Sequence, residues 1–168
     1  MITKIKKLTT SASEGEIVAR FAAVCRAAGV KLTQQRLVIL KEVFGRRDHP
    51  DAETVFRAVR RMLPTVSLDT VYRTLWFLHD LGLVEALGSG IGSLRFDTNR
   101  RLHHHFVCRR CGAIHDFTDD GFDKLTVPEA AIAFGRIEKT QVEFRGVCKN
   151  CDKSKVRYIK KERASEKK

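Results

Sequence analysis

The sequence predicts an α+β protein built in two parts: an N-terminal winged helix-turn-helix module, then a smaller α/β unit held together by paired cysteines. Three observations carry this. Apolar residues recur at helical spacing in four successive segments and then give way to two short runs split by a glycine-rich stretch. A C-x-x-C pair, Cys108 and Cys111, has a matching half in Cys148 and Cys151 after a long interval. The 168 residues are 43% hydrophobic, enough for a folded globule, and carry a net charge of +12, which points to a polyanionic partner, above all nucleic acid.

Residues 1–12, basic and rich in Ser and Thr, read as a flexible arm. Ser13-Glu14-Gly15-Glu16 fits a capping box, in which Ser13 accepts from the backbone N–H three residues on and Glu16 reaches back. The helix that follows runs to Ala28, with Ile17, Phe21, Val24, Cys25 and Ala28 on one face and Gly29 stopping it. Thr33 opens a second helix, with Leu37, Leu40, Val43 and Phe44 inward and Gly45 closing it. His49-Pro50-Asp51 is predicted to be a turn that leaves His49 on the surface, because Pro50 denies the helix a continuation. A third helix occupies 51–63, with Val55, Phe56, Val59 and Leu63 as its apolar stripe and Pro64 ending it.

Ser67 caps a fourth helix, to about Leu81. Leu68, Val71, Leu75 and Leu78 face the core, which leaves Asp69, Thr70, Arg73 and Trp76 outward and Tyr72 on the flank. Gly82 terminates it. The runs 84–87 and 93–96, on either side of Gly88-Ser89-Gly90-Ile91-Gly92, read as a hairpin. Short helices followed by a hairpin make a winged helix-turn-helix, whose last helix enters the major groove of double-stranded DNA. Arg73 suits guanine edges and Tyr72 can touch a thymine methyl; with Ser67 and Thr70 they form the predicted DNA-binding set. Lys41, Arg46, Arg57, Arg60 and Arg61 are predicted phosphate contacts.

After Phe96 the pattern changes to alternation, which divides the chain into a winged domain over 13–94, a hinge over 95–98, a second domain over 99–152 and a disordered basic tail over 153–168. Strands are expected at Phe106-Val107, at Ala113-Ile114-His115-Asp116-Phe117 and at Gln141-Val142-Glu143-Phe144. Between them, 121–135 holds Phe122, Leu125, Val127, Ile132 and Phe134 and is predicted to contain a short helix interrupted at Pro128.

Cys108, Cys111, Cys148 and Cys151 supply four thiolates for a tetrahedral structural Zn²⁺ site, each pair on a tight knuckle with Gly112 after the first and Gly146 shortly before the second. A redox C-x-x-C is the competing reading, but it needs no duplicate and belongs in a βαβ setting absent here. His103 and His105 alternate around His104, so in an extended strand they share a face while His104 looks elsewhere. Asp97 and Asp116 flank them, and imidazoles with carboxylates suit Fe²⁺, Mn²⁺ or Zn²⁺. Cys25 falls on an apolar helical stripe and reads as core. No apolar run reaches transmembrane length and no signal peptide is visible, which predicts a cytoplasmic protein without a membrane partner and cysteines that bind metal instead of forming disulfides.

With these residues in view, the span from about Ser13 to Asp152 resembles the ferric uptake regulator (Fur) family of dimeric, metal-dependent bacterial repressors. The resemblance rests on Leu32-Thr33-Gln34-Gln35-Arg36, His49-Pro50-Asp51-Ala52, Ser67-Leu68-Asp69-Thr70-Val71-Tyr72-Arg73-Thr74-Leu75, Arg95-Phe96-Asp97, His103-His104-His105 and the two C-x-x-C pairs. It implies a homodimer joined through 99–152 and bound to operator DNA. Within the family the chain is most similar to the peroxide-sensing branch. That likeness implies a regulatory site for Fe²⁺ or Mn²⁺ made of His49, Asp97, His103, His105 and Asp116, where iron and zinc sensors usually carry Glu at the last position. Thr140 stands where those sensors have a further metal-binding His. The resemblance also implies repression by the metal-loaded form and release when peroxide, reacting at bound Fe²⁺, oxidises His49 or His103. The histidine run is similar to that of the haem-responsive branch too, but that branch lacks the paired cysteines.

Three other readings compete: an iron, manganese or zinc uptake regulator without peroxide sensing, a constitutive zinc-stapled DNA-binding module, and a metallohydrolase using the His/Asp ion to activate water. The last leaves the basic winged module unexplained and has no evident general base, so the expectation is that the protein is not an enzyme.

Overall fold

The first helix begins where its cap chemistry dictates. In the computed structural model, which describes residues 13–88 and 93–152, Ser13 Oγ accepts from Glu16 N–H at 3.3 Å and Ser13 N–H donates to the Glu16 carboxylate at 2.7 Å, opening α1 (Glu14–Ala27). The basic arm, the tip of the hairpin and the basic tail expected from the sequence lie outside the described residues. Phe21 and Cys25 of α1 are buried and Ile17 and Val24 pack beside them. Ala28 is exposed, a departure from expectation: it is the C-cap, where the backbone leaves the helix and turns through Gly29 at φ 65.

Three more short polar residues start the next helices. Thr33 caps α2 (Gln34–Phe44), Asp51 caps α3 (Ala52–Met62) and Ser67 caps α4 (Leu68–Asp80), each accepting from the N–H three residues on. Their apolar stripes form one core around Leu40, Val43, Val55, Val59, Val71, Leu75 and Leu78, closed by Leu83, Val84 and Phe96. Ile39 joins it without having been expected there, and so does Thr74, buried because its hydroxyl donates to the Thr70 carbonyl at 2.8 Å.

The wing pairs β1 (Glu85–Leu87) with β2 (Arg95–Asp97) in antiparallel register, Glu85 opposite Asp97. Asp97 therefore ends a strand that was expected to stop at Phe96, because the pairing with Glu85 carries the ladder one residue further. The other edge of β2 meets the turn before α3, through a bridge between Asp51 and Arg95.

Beyond the wing lies a three-stranded sheet in the order β4-β3-β5, with β3 (His104–Cys108) antiparallel to β4 (Ile114–Phe117) and parallel to β5 (Glu143–Gly146). A parallel partner needs a long crossover, and this accounts for the distance between the two cysteine pairs. The crossover carries two single-turn helices, α5 (Asp120–Asp123) and α6 (Glu129–Ile132). Pro128 does not interrupt a helix as expected; it is the N-cap of α6, where its fixed φ suits a helix start. Leu125, Ile132 and Phe134 of this segment are exposed, Phe134 at 93%. Among the described residues, no helix is long and apolar enough to cross a membrane.

Candidate metal centres

The thiol site joins the ends of β3 and β5. Gly112 turns the first knuckle at φ 69, and its N–H donates to the Cys108 carbonyl at 2.9 Å. Gly146 has a different role from the one expected. It lies within β5 against Phe106, where an added Cβ would come within 3.0 Å of the ring. The second knuckle is turned instead by the N–H groups of Cys151 and Asp152, both on the Cys148 carbonyl, at 2.9 and 2.8 Å.

One sulfur from each of Cys108, Cys111, Cys148 and Cys151 lies within 4.8 Å of the others, with Cys111 and Cys148 3.8 Å apart. A tetrahedron with Zn–S bonds of about 2.3 Å has edges of about 3.8 Å, so the sulfurs fit that ion. The N–H groups of Cys148 and Arg110 donate to Cys108 Sγ at 3.3 and 3.4 Å, and such bonds, led by that from Cys148, bring its thiol down to about 6. Hydrogen bonds with Cys111 and Cys148 push Cys151 up to about 12. Four crowded sulfurs cannot all ionise unaided; a dication removes that conflict.

The second cluster spans the junction between the winged part and the sheet. His49 comes from the turn before α3, Asp97 from the end of β2, His103 from the residue just before β3, His105 from within β3, and Asp116 from β4, directly opposite His105. His103 Nε2 lies 2.8 Å from His105 Nε2 and 3.0 Å from Asp97 Oδ2, as the alternation around His104 predicts. His49 Nε2 is 2.8 Å from Asp116 Oδ1 and 3.6 Å from Asp97 Oδ1. His105 Nε2 stands 3.6 Å from Asp97 Oδ2 and 3.5 Å from Asp116 Oδ1.

His49 is not on the surface: it is 4% exposed, as enclosed as Asp97, His103 and His105, in a turn with a left-handed backbone at φ 47 that lies along the edge of β2. Both His49 nitrogens and Asp97 Oδ2 are buried without a hydrogen-bond partner, although they lie within ion-pair distance of their neighbours. Lone pairs that converge this closely, yet are misdirected for sharing protons, fit a common cation. A cavity of about 10 Å³, walled by His49, Phe96, Asp97 and Asp116, adjoins them and has room for about one water-sized species.

The charges agree with that reading. Burial pushes Asp97 upward, but the imidazoles of His103 and His105 outweigh it and hold the carboxyl well below the usual range. Asp116 is likewise raised by burial and more strongly lowered by His49 and Asn99. Burial lowers His103, yet Asp97 and the Arg101 carbonyl keep it above the ordinary imidazole value.

Supporting groups escaped the sequence reading. Asn99 donates its N–H to Asp97 Oδ1 at 2.7 Å and its Nδ2 to Asp116 Oδ2 at 2.9 Å, tying the two carboxylates together. An Asn two residues after an Asp is a turn pattern that could have revealed it. The Arg101 carbonyl, 2.7 Å from His103 Nδ1, leaves Nε2 to face the cluster. Gln141 Nε2 donates to the His103 carbonyl at 3.1 Å and lies 3.2 Å from His105 Nδ1. No sequence signal marks either of these. His104 does look elsewhere: its Nε2 is 3.1 Å from Asp123 Oδ1, and its Nδ1 accepts from Val142 N–H at 3.2 Å.

On α4, Tyr72 and Arg73 are exposed, and Arg73 pairs with Asp69 at 2.9 Å in a solvent-facing pair. The Ser67 and Thr70 hydroxyls are engaged with each other at 2.8 Å in the helix cap. Of the expected phosphate contacts, Arg46 is braced by Asp48 and Glu42, Lys41 pairs with Glu14 at 2.7 Å, and Arg57 and Arg60 lie along α3 beside Phe56.

A helical module with a wing, joined to a thiol-clasped sheet by a buried His/Asp cluster, defines a metal-dependent regulator with a winged DNA-binding part. Residues 27–145 match the ferric uptake regulator family. The peroxide-responsive repressor PerR of Staphylococcus epidermidis is 33% identical over 126 residues, covering 75% of this chain and 84% of its own. The chain belongs to the ferric uptake regulator family. In fold it is similar to the Helicobacter pylori ferric uptake regulator, with a TM-score of 0.75, 20% identity and coverage of 89% of this chain and 100% of that one. The Campylobacter jejuni peroxide stress regulator superposes with a TM-score of 0.60 at 25% identity, over 81% of this chain and 99% of its own.

Proposed function

We propose that the protein is a cytoplasmic, homodimeric repressor that binds double-stranded operator DNA in a metal-dependent way and senses peroxide. The observation that carries this is the convergence of His49, Asp97, His103, His105 and Asp116 across the junction, with an aspartate at the last position. Identity of 33% to a peroxide-responsive repressor supports the choice of branch. In this reading Zn²⁺ is held by Cys108, Cys111, Cys148 and Cys151, and Fe²⁺ or Mn²⁺ by the five His and Asp side chains.

Because those ligands come from both parts of the chain, filling the site fixes one orientation of the winged part. In a symmetric dimer that orientation sets the spacing of two α4 helices and hence their fit to successive half-sites, read by Arg73 and Tyr72. Metal favours it only through differential affinity; a preference of about a hundredfold is worth roughly 2.7 kcal/mol. Exposed Leu125, Ile132 and Phe134 offer apolar surface for a second copy to cover.

Bound Fe²⁺ would supply the reducing chemistry that activates peroxide. The chain provides the oxidised group: one oxygen atom adds to a ring carbon of His49 or His103, the other leaves as water, and the altered ring no longer fits its place. The reading requires no turnover of a substrate.

Anisotropy of labelled operator DNA, with Fe²⁺ or Mn²⁺ before and after peroxide, tests it. Both metals should support binding, and peroxide should release only the Fe²⁺ form, with a mass gain of one oxygen on peptides holding His49 or His103. Retained DNA affinity and unmodified histidines in the Fe²⁺ form would leave an iron or manganese uptake regulator as the better account. Multiple-turnover hydrolysis without DNA affinity would restore the metallohydrolase.

A further inference from the structure

Strand β2 is bordered on both edges. Its residue Arg95 pairs with Leu87 of the wing on one side and with Asp51 of the His49 turn on the other. Three hydrogen bonds cross the second edge: Arg95 Nη1 to the His49 carbonyl at 3.1 Å, Phe96 N–H to the Pro50 carbonyl at 3.0 Å, and Ser93 Oγ to Asp51 Oδ2 at 2.8 Å. His49 is also the one non-glycine with positive φ among the described residues. A histidine in the left-handed region is strained and persists only where its surroundings enforce it.

His103 is oriented through its ring, by the Arg101 carbonyl, whereas the His49 ring has no such partner. What aims His49 into the cluster is therefore its backbone, and the only side chain hydrogen-bonded to that backbone among the described residues is Arg95.

We propose that Arg95 is a positioning residue for the regulatory metal: its guanidinium holds the His49 carbonyl, keeps the turn left-handed and so presents His49 Nε2 to the site. The proposal rests on the functional reading above. It also gives that reading a physical link, since the strand that carries the wing is the strand that aims the ligand, and movement of one is felt by the other.

The test is a double-mutant cycle on the full chain, with Mn²⁺ affinity measured for the wild type, Arg95→Ala, His49→Ala and the double variant. Arg95→Ala should weaken Mn²⁺ binding about tenfold when His49 is present, the scale of one lost charge-assisted hydrogen bond, and by less than about twofold when it is not. Arg95→Lys, which keeps a donor, should recover part of the loss, and zinc content should be unchanged throughout.

In the metal-free protein, Arg95→Ala should also speed hydrogen exchange of the Phe96 amide about tenfold while leaving Leu75 and Leu78 as they were. Equal losses in both backgrounds, or unchanged Phe96 exchange, would overturn the proposal. If His49→Ala bound Mn²⁺ as the wild type does, the functional reading would fall instead, and Phe96 exchange would still decide whether Arg95 clamps the turn.

Discussion

Asp116 reaches His49 from the opposite strand on a single methylene, its Oδ1 2.8 Å from Nε2. Asp116→Glu keeps the charge but moves the carboxylate, so metal-dependent DNA binding should survive while release by peroxide in the Fe²⁺ form slows by roughly 10–100-fold, the range seen when the geometry around a metal ligand is disturbed. Stopped-flow anisotropy reads this directly, and undiminished peroxide sensitivity would contradict it. His103 carries a second expectation. Its pKa is raised in the metal-free protein, so the stabilisation from its charged pairing with Asp97 is complete below the ordinary imidazole value of about 6.5 and is lost as pH rises through the raised value. Metal must displace that proton, so Mn²⁺ affinity should climb with pH over the same interval. Calorimetry in two buffers of different ionisation enthalpy should find about one proton released.

At the scale of elements, caps and stripes were legible because they act locally: Ser13, Thr33 and Ser67 each start the helix their side chains permit, whereas Asp51, expected as the first residue of its helix, is the N-cap of α3. The histidine pair was legible for the same reason, since strand alternation alone brings His103 and His105 to one face. His49 was not. Its burial depends on a left-handed turn pinned by a strand more than forty residues away in sequence, and no local pattern encodes that. The exposed face of α4 supports a sharper prediction: Arg73→Ala should weaken operator binding by roughly 1–3 kcal/mol and relax preference at one base position, while Lys41→Ala lowers affinity evenly. Binding to a library of operator variants separates the two, and intact preference in Arg73→Ala would move base reading to another element.

Among the described residues two clusters act as clasps at the scale of the whole molecule, the thiol cluster joining β3 to β5 and the His/Asp cluster tying the sheet to the wing. The first is structural, so Cys108→Ser should lose zinc and the dimer together, read by metal analysis and sedimentation; a stable, zinc-free wild-type dimer would refute that. The second is regulatory and separable from it, a claim that a single comparison addresses. Operator affinity is measured against Mn²⁺ concentration for the wild type and for His49→Ala, with zinc content and dimer fraction recorded on the same samples. The account predicts affinity that rises with Mn²⁺ in the wild type and stays flat in His49→Ala, with zinc and dimer equal in both. Equal Mn²⁺ dependence in the two proteins, or binding by the wild type that ignores Mn²⁺, would contradict it.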